Sequence, residues 1–138
     1  MSKSNATVKD IMTKEVSTLG RNDTVDVADD LMTLERIRHL PVLDEGRVVG
    51  VVSQRDLFRS ALAVALGYGE NAQKKLLRTI RVKEVMHEPA ITVSPEIAAK
   101  EAIRLMLEHK IGCLPVVEGH TLVGIVTETD ILRSVVNA

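Results

Sequence analysis

The chain has 138 residues, of which 45% are hydrophobic and 27% charged, and its formal net charge is -1. This length suffices for one domain or two very small ones, and the near-neutral charge provides no general attraction to nucleic acid or to anionic membranes. With one phenylalanine, one tyrosine and no tryptophan, the chain cannot build an aromatic platform for single-stranded nucleic acid.

The N-terminal residues and the cysteine content indicate a cytoplasmic protein. Residues 1–7 form a polar stretch that we expect to be a flexible tail, without the apolar run of a signal peptide. No later stretch is long enough for a membrane span. Cys113 is the only cysteine, which excludes an internal disulfide and fits a reducing compartment.

The first half of the chain alternates between strand and helix patterns. The predicted elements are, in order, a strand at 16–19, a helix capped by Asp23 or Thr24, a strand at 40–43, a hairpin turn at 44–46, its antiparallel partner at 47–52 and a helix from Ser53. The apolar run at 48–52 leads straight into the motif Ser53-x-x-Asp56, which is a helix-start signal.

The second half repeats the first without a gap. The segment 8–12 (VKDIM) returns at 82–86 (VKEVM), and the same shift of 74 positions carries Leu40-Pro41-Val42 onto Leu114-Pro115-Val116 and Ser53-x-x-Asp56 onto Thr127-x-x-Asp130. The chain is therefore a tandem duplication. The predicted elements of the second copy are a strand at 91–93, a helix at 95–108, a strand at 114–117, a turn at 118–119, a strand at 122–126 and a helix from Thr127.

The residues between the copies predict a helical linker at 61–81. An alanine-rich run extends the helix that begins at Ser53, and a glycine pair at 67 and 69 breaks it before a charged segment with apolar residues at helical spacing. A spacer is the simpler interpretation, and a mobile lid is the alternative.

These patterns predict an α/β (α+β) fold of two pseudo-twofold-related β-α-β-β-α units. Each unit is a small sheet with two helices, and we expect both to pack as one module because neither buries much core by itself. The helix after Phe58 offers apolar surface to a second chain, so we expect a homodimer.

The repeated motifs resemble a tandem pair of CBS domains, the regulatory unit named after cystathionine β-synthase and also called a Bateman module. The residues that carry the resemblance are 8–13, 39–42 and 49–56 with their later counterparts. It implies a first CBS domain at 8–60, a linker at 61–81 and a second CBS domain at 82–138.

The resemblance further implies that clefts between the domains bind an adenosine-containing ligand, AMP, ADP, ATP or S-adenosylmethionine. In the family, the aspartate of each Ser/Thr-x-x-Asp motif holds the ribose hydroxyls, the Ser or Thr reaches the phosphate side, and residues before Leu-Pro and in the first strand hold adenine. The implied binding residues are Val16, Ile37, Arg38, His39, Leu40, Pro41, Ser53, Asp56, Ala90, Ile91, Ile111, Gly112, Cys113, Leu114, Pro115, Thr127 and Asp130.

The physical chemistry agrees with this assignment but leaves an alternative open. A carboxylate accepts bonds from two neighbouring hydroxyls, and free N–H groups at a helix start favour phosphate. Both motifs also match a capping box, which would begin a helix without any ligand. Aspartate in both copies is less usual for a cap than glutamate or glutamine.

The two copies differ in charge at the implied sites. Arg38 and His39 in the first copy correspond to Gly112 and Cys113 in the second, and the pair 54–55 (QR) corresponds to 128–129 (ET). If both sites bind ligand, we expect the Asp56 site to take the more highly phosphorylated one. The Asp130 site would suit adenosine, a less charged adenosyl ligand, or nothing.

Three functions follow from the sequence. The leading hypothesis is a regulatory module that senses adenosyl ligands and signals to an effector protein. The alternative is a dimeric interaction scaffold with vestigial sites. A nucleotide-hydrolysing enzyme is disfavoured, because the four histidines are scattered, Cys113 has no identifiable base, and neither a metal-ligand set nor a phosphate loop is visible.

Overall fold

The structure, a computed structural model, describes residues 5–68 and 78–137. Residues 1–4 of the predicted tail and 69–77 of the predicted linker lie outside the described residues. Ala6 and Thr7, which the sequence assigned to the tail, already pair with residues 99 and 98.

The described elements follow the predicted order from the first strand onward in the first copy and from the first helix onward in the second copy. In the first copy and linker they are α1 (Val8–Ile11), β1 (Leu19–Gly20), α2 (Val25–Glu35), β2 (His39–Asp44), β3 (Arg47–Ser53) and α3 (Gln54–Tyr68). In the second copy they are a 3-10 turn (Val82–Glu84), α4 (Ala99–His109), β4 (Cys113–Glu118), β5 (Thr121–Thr127) and α5 (Glu128–Val136). This mixed α+β content confirms the predicted fold class.

The strands form two small sheets. One has the order β1-β2-β3, with β1 parallel to β2 through the pairs Leu19 with Val42 and Gly20 with Leu43. The other pairs β4 with β5 in antiparallel register from Cys113 opposite Thr127 to Glu118 opposite Thr121. The hairpin turn before β3 places Gly46 at φ 80°, a conformation that glycine adopts without steric cost.

Three predicted elements differ from the structure. In the first copy, the strand predicted at 16–19 is limited to Leu19–Gly20. The other two lie in the second copy. The predicted strand at 91–93 reduces to one parallel bridge between Val93 and Val116. The helix predicted from residue 95 begins at Ala99, because the Ser94 hydroxyl accepts a hydrogen bond from the Glu96 amide at 3.1 Å and holds the chain in a turn.

The chain divides into two compact units that do not follow the order of the repeats. The Asp56 unit comprises the described residues of 17–45 and 49–89, and the Asp130 unit comprises those of 1–16, 46–48 and 90–138. The first segment of each repeat therefore packs in the unit that contains most of the other repeat. The boundaries 8–60 and 82–138 describe sequence repeats, whereas the packing units exchange their opening segments.

Buried valines explain this exchange. Val8 is fully buried in a cluster with Val93, Leu114 and other residues of the second repeat. Val82 is fully buried in a cluster with residues of the first repeat that include Leu19 and Leu40. Each unit thus has its own hydrophobic core, completed by a segment from the other repeat. Within residues 5–68 and 78–137, none of the helices combines the length and apolar character needed to span a bilayer.

Candidate functional site

A capping box fixes the junction between β3 and α3 in the Asp56 unit. Asp56 Oδ2 accepts hydrogen bonds from the Ser53 amide at 2.7 Å and from the Ser53 hydroxyl at 2.8 Å. The Asp56 amide donates to Ser53 Oγ at 3.2 Å. The reciprocal bonds confirm that the motif begins a helix. Asp56 is nonetheless only 7% exposed, which is unusual for a carboxylate that does no more than cap.

Two further segments meet this junction, and together with Ser53 and Asp56 they form what we name the Asp56 corner. The Gln54 amide donates to the carbonyl of Arg38 at 2.8 Å, which fastens the segment before Leu40-Pro41 to the helix start. The imidazole Nε2 of His87 lies 2.7 Å from Asp56 Oδ1. His87 is held there because its backbone exchanges two hydrogen bonds with Val51 of β3, at 2.9 and 3.1 Å.

The Asp130 unit builds the same arrangement at the start of α5. Asp130 Oδ2 accepts from the Thr127 amide at 2.9 Å and from its hydroxyl at 3.1 Å, and the Glu128 amide donates to the Gly112 carbonyl at 3.2 Å. The Thr13 hydroxyl donates to Asp130 Oδ1 at 2.7 Å. Asp130 is 4% exposed. We name this set the Asp130 corner.

Most helix-start amides are already bonded at both corners. At the Asp56 corner the amides of Ser53, Gln54 and Asp56 have the partners just given, so the amide of Arg55 is the one without a partner in the described structure. Its counterpart at the Asp130 corner is Thr129. Each corner offers one such donor to an anion.

The remaining predicted site residues fall into three groups. Leu40, Pro41, Leu114 and Pro115 are buried, so their side chains belong to the interior of the units. The side chains of Ile37, Ile91 and Ile111 are partly buried and pack against the cores, while Val16, His39 and Ala90 are half-buried. Arg38 is exposed and Gly112 half-buried, and their carbonyls complete the two corners.

Cys113 is buried at the start of β4, and desolvation raises the pKa of its thiol to about 12. The thiol therefore stays protonated near neutral pH, and this argues against a nucleophilic role.

We expect Cys113 of the native protein to react with iodoacetamide at about pH 8.5 at least roughly a hundredfold more slowly than in the chain unfolded by urea, because the unfolded thiol ionises near that pH. Equal rates in both states, measured by mass spectrometry, would contradict the burial of this side chain.

Thr13 and His87 are the two corner residues that the sequence analysis did not select. Both directly follow the methionine of the opening motif, and the shift of 74 positions aligns them. That alignment was visible in the sequence. Their contact with the aspartates was not, because it depends on the exchange of the opening segments between the units.

The family model for the CBS domain matches the chain twice, at residues 8–63 and 82–137. The chain belongs to the CBS-domain family. This confirms the resemblance to a tandem CBS pair. The CBS domain is a regulatory domain and is not itself catalytic.

Similar proteins include CBS pairs with bound ligands. The uncharacterized protein MJ1404 of Methanocaldococcus jannaschii is 37% identical over 130 residues, which are 91% of this chain and 31% of that protein. The chain thus spans about a third of that relative. The CBS pair of protein MJ0100, in complex with 5-methylthioadenosine and S-adenosyl-L-methionine, is 29% identical with a TM-score of 0.79, and the match covers 96% of this chain and 97% of that chain.

CBSX2 in complex with AMP is 30% identical with a TM-score of 0.77, and the match covers 96% of this chain and 97% of that chain. The bound molecules of MJ0100 and CBSX2 share an adenosine moiety.

Proposed function

We propose that this CBS pair is a regulatory module that binds adenosine-containing ligands at the Asp56 and Asp130 corners. The observation that carries the proposal is the state of the two aspartates. In each, the helix start engages Oδ2, whereas Oδ1 lies against side chains that a ligand can displace. These are His87 at Asp56, and Thr13 together with the exposed Arg133, 3.5 Å away, at Asp130. A ribose presents two adjacent hydroxyl donors, and a carboxylate oxygen with two lone pairs can accept both.

A third capping box in the chain argues against capping as the whole explanation. Asp10 accepts from the Thr7 amide at 2.8 Å and from the Thr7 hydroxyl at 3.1 Å, the same contacts as at the corners. Asp10 is exposed, however, whereas Asp56 and Asp130 are buried. Burial of a carboxylate costs free energy that a cap does not require. The corners therefore have a feature that a cap alone leaves unexplained, which favours binding over a scaffold with vestigial sites.

The ligands of the structural neighbours support the adenosine moiety as the common element. AMP, ADP and ATP are the preferred candidates, and S-adenosylmethionine is the further one. Two exposed arginines belong to the Asp56 corner: Arg55 carries the unpartnered amide, and the carbonyl of Arg38 accepts from the neighbouring Gln54 amide. Gly112 and Thr129 at the matching positions of the other corner carry no charge. We infer that the Asp56 corner takes the more highly phosphorylated ligand.

Exposed apolar side chains on the two helices that follow the corners support the proposal of a homodimer. Phe58 and Leu62 are exposed on α3, and Leu132 and Val136 occupy the matching positions on α5, where they are also exposed. Residues at i and i+4 lie on one helix face, so each helix presents an apolar pair that a second copy would cover. We propose that the dimer acts in the cytoplasm and signals to an effector protein whether ligand is bound. Such signalling requires that the dimer adopt two conformations with different affinities for the ligand.

Calorimetric titration of AMP and ATP into Asp56→Asn, Asp130→Asn and the double variant tests the function. Asparagine keeps the side-chain size but loses the charged acceptor. We expect the double variant to bind AMP roughly thirtyfold to hundredfold more weakly, since a hydrogen bond to a charged group contributes about 2–3 kcal/mol. The matched control is Asp10→Asn, which removes the exposed cap and should leave both affinities unchanged.

Two results would count against parts of this proposal. Unchanged AMP affinity in a folded double variant would favour the scaffold. A larger loss of ATP binding in Asp130→Asn than in Asp56→Asn would overturn the assignment of the more phosphorylated ligand to the Asp56 corner.

A further inference from the structure

The two corners differ in the side chain that occupies the outer carboxylate oxygen. His87 Nε2 lies 2.7 Å from Asp56 Oδ1, and the Thr13 hydroxyl lies 2.7 Å from Asp130 Oδ1. The backbones of both residues pair in the same way with a strand, His87 with Val51 and Thr13 with Ile125. The aligned residues His87 and Thr13 therefore differ in chemistry: the Asp56 corner has a titratable ring, and the Asp130 corner has a hydroxyl that does not titrate.

The number of acceptor sites on Asp56 determines what a ligand must do there. An ionised carboxylate has about four lone-pair sites. Two on Oδ2 are used by the amide and hydroxyl of Ser53, and one on Oδ1 is used by His87. One site remains, whereas a ribose diol brings two donors. Both ribose hydroxyls can bond to Asp56 only after the imidazole has left.

The environment of His87 permits this displacement. Its side chain is 71% exposed, whereas that of Asp56 is 7% exposed. The ring can therefore turn into solvent, while the carboxylate stays anchored to the helix start. The backbone of His87 remains paired with β3 when the ring moves, so the fold does not depend on the ring contact.

Resting on the proposed binding of adenosine ligands, we propose that His87 determines ligand specificity at the Asp56 corner by competing with ribose for Asp56 Oδ1. Protonation of the ring strengthens this competition. Histidine changes charge between about pH 5 and pH 8, and the protonated ring adds to the hydrogen bond the Coulombic attraction between opposite charges, which a neutral ring lacks. Adenosine binding at this corner therefore weakens as the pH falls, whereas binding at the Asp130 corner does not depend on such a proton.

Seven charged residues lie on the elements that hold His87. Asp56 contacts the ring, and Arg55 and Arg59 also lie on α3. Arg47 lies at the far end of β3, and Lys83, Glu84 and Glu88 lie on the segment of His87 itself. Asp56 is the carboxylate within hydrogen-bond distance of the ring, so the proton on His87 acts through Asp56.

Titration of adenosine into the full chain at about pH 8 and about pH 5.5 tests the proposal, because adenosine carries no phosphate that titrates in this range. Asp130→Asn serves as the background, so that the Asp56 corner alone is measured. We expect roughly fivefold weaker binding at the lower pH. His87→Thr, which copies the hydroxyl of the other corner, should remove this dependence. Thr13→His in an Asp56→Asn background should introduce it at the Asp130 corner.

The outcomes separate this inference from the proposed function. If adenosine binds and His87→Thr retains the same pH dependence, the inference is overturned and the proposed function stands. If adenosine binds neither protein at either pH, ligand binding at this corner fails, and the inference fails with it. A readout without ligand is the NMR chemical shift of the His87 ring at about pH 8, which should change in Asp56→Asn because Nε2 loses its carboxylate partner. Identical ring chemical shifts in both proteins would overturn the contact itself.

Discussion

Deletion of residues 1–14 is expected to unfold the Asp130 unit, although every residue of the second repeat would remain in the chain. The deleted segment contributes the buried Val8 and five backbone hydrogen bonds to residues 90–137. These bonds join Val8 to Ile97, Lys9 to Pro95, Ala6 to Ala99, and Thr13 to Ile125 twice. At about 1 kcal/mol for each bond and about 2 kcal/mol for burial of the valine, the loss is about 7 kcal/mol, which is comparable to the net stability of a small domain.

Hydrogen exchange of residues 113–127 measures this effect. We expect the amides of the β4–β5 hairpin to lose most of their protection in the shortened chain. Deletion of residues 1–4, which precede the described contacts, is the control and should leave protection unchanged. Full protection of the hairpin after the longer deletion would show that the second repeat folds without the exchanged segment.

Gly124→Ala is expected to destabilise the Asp130 unit by about 3 kcal/mol, at the upper end of the usual cost of overpacking. A Cβ atom at this position would lie 2.6 Å from Met12 Sδ and 2.9 Å from the Thr13 carbonyl oxygen. The methionine side chain can move, but the carbonyl is fixed by its bond from the Ile125 amide at 2.9 Å. The same collision exists at Gly50, where a Cβ would lie 2.8 Å from the His87 carbonyl oxygen.

Thermal and denaturant unfolding of Gly124→Ala should show this loss of stability. Gly20→Ala is the matched control, since the nearest atom to its Cβ would be Asp23 Oδ2 at an ordinary 3.6 Å. Adding Met12→Ala to Gly124→Ala should recover only part of the loss, because the clash with the backbone remains. Complete recovery would mean that the sulfur contact alone accounts for the close packing.

The sequence predicted local features well and missed those that depend on distant segments. The helix starts at Ser53 and Thr127 are encoded within four residues, so the motif alone located them. The repeat predicted two similar units, and apart from the strand predicted at 91–93 the elements appear in the expected order. His87 at Asp56 Oδ1 and Thr13 at Asp130 Oδ1 are 31 and 117 positions away from their aspartates in the chain, whereas Arg133, the other contact of Asp130 Oδ1, is three positions away. No periodicity or local motif reports a contact of that kind.

The short strands were also harder to predict than the helices. In the segment 91–93 (ITV), Val93 pairs with β4 through a single bridge to Val116. Apolar composition alone does not distinguish such a bridge from a strand. The binding residues that act through backbone groups, such as Arg38 and Gly112, carry no side-chain signal for their carbonyl bonds to the helix starts.

The exchange of opening segments has a consequence for how a single repeat would behave. An isolated copy of either repeat would lack the opening segment of the other repeat, which completes its core. It would have to exchange opening segments with a second molecule. Joining two copies in one chain replaces that encounter by an intramolecular one, at an effective concentration set by the connection between them, of millimolar order for a short flexible link. The duplication thus makes folding of both cores independent of the amount of protein present.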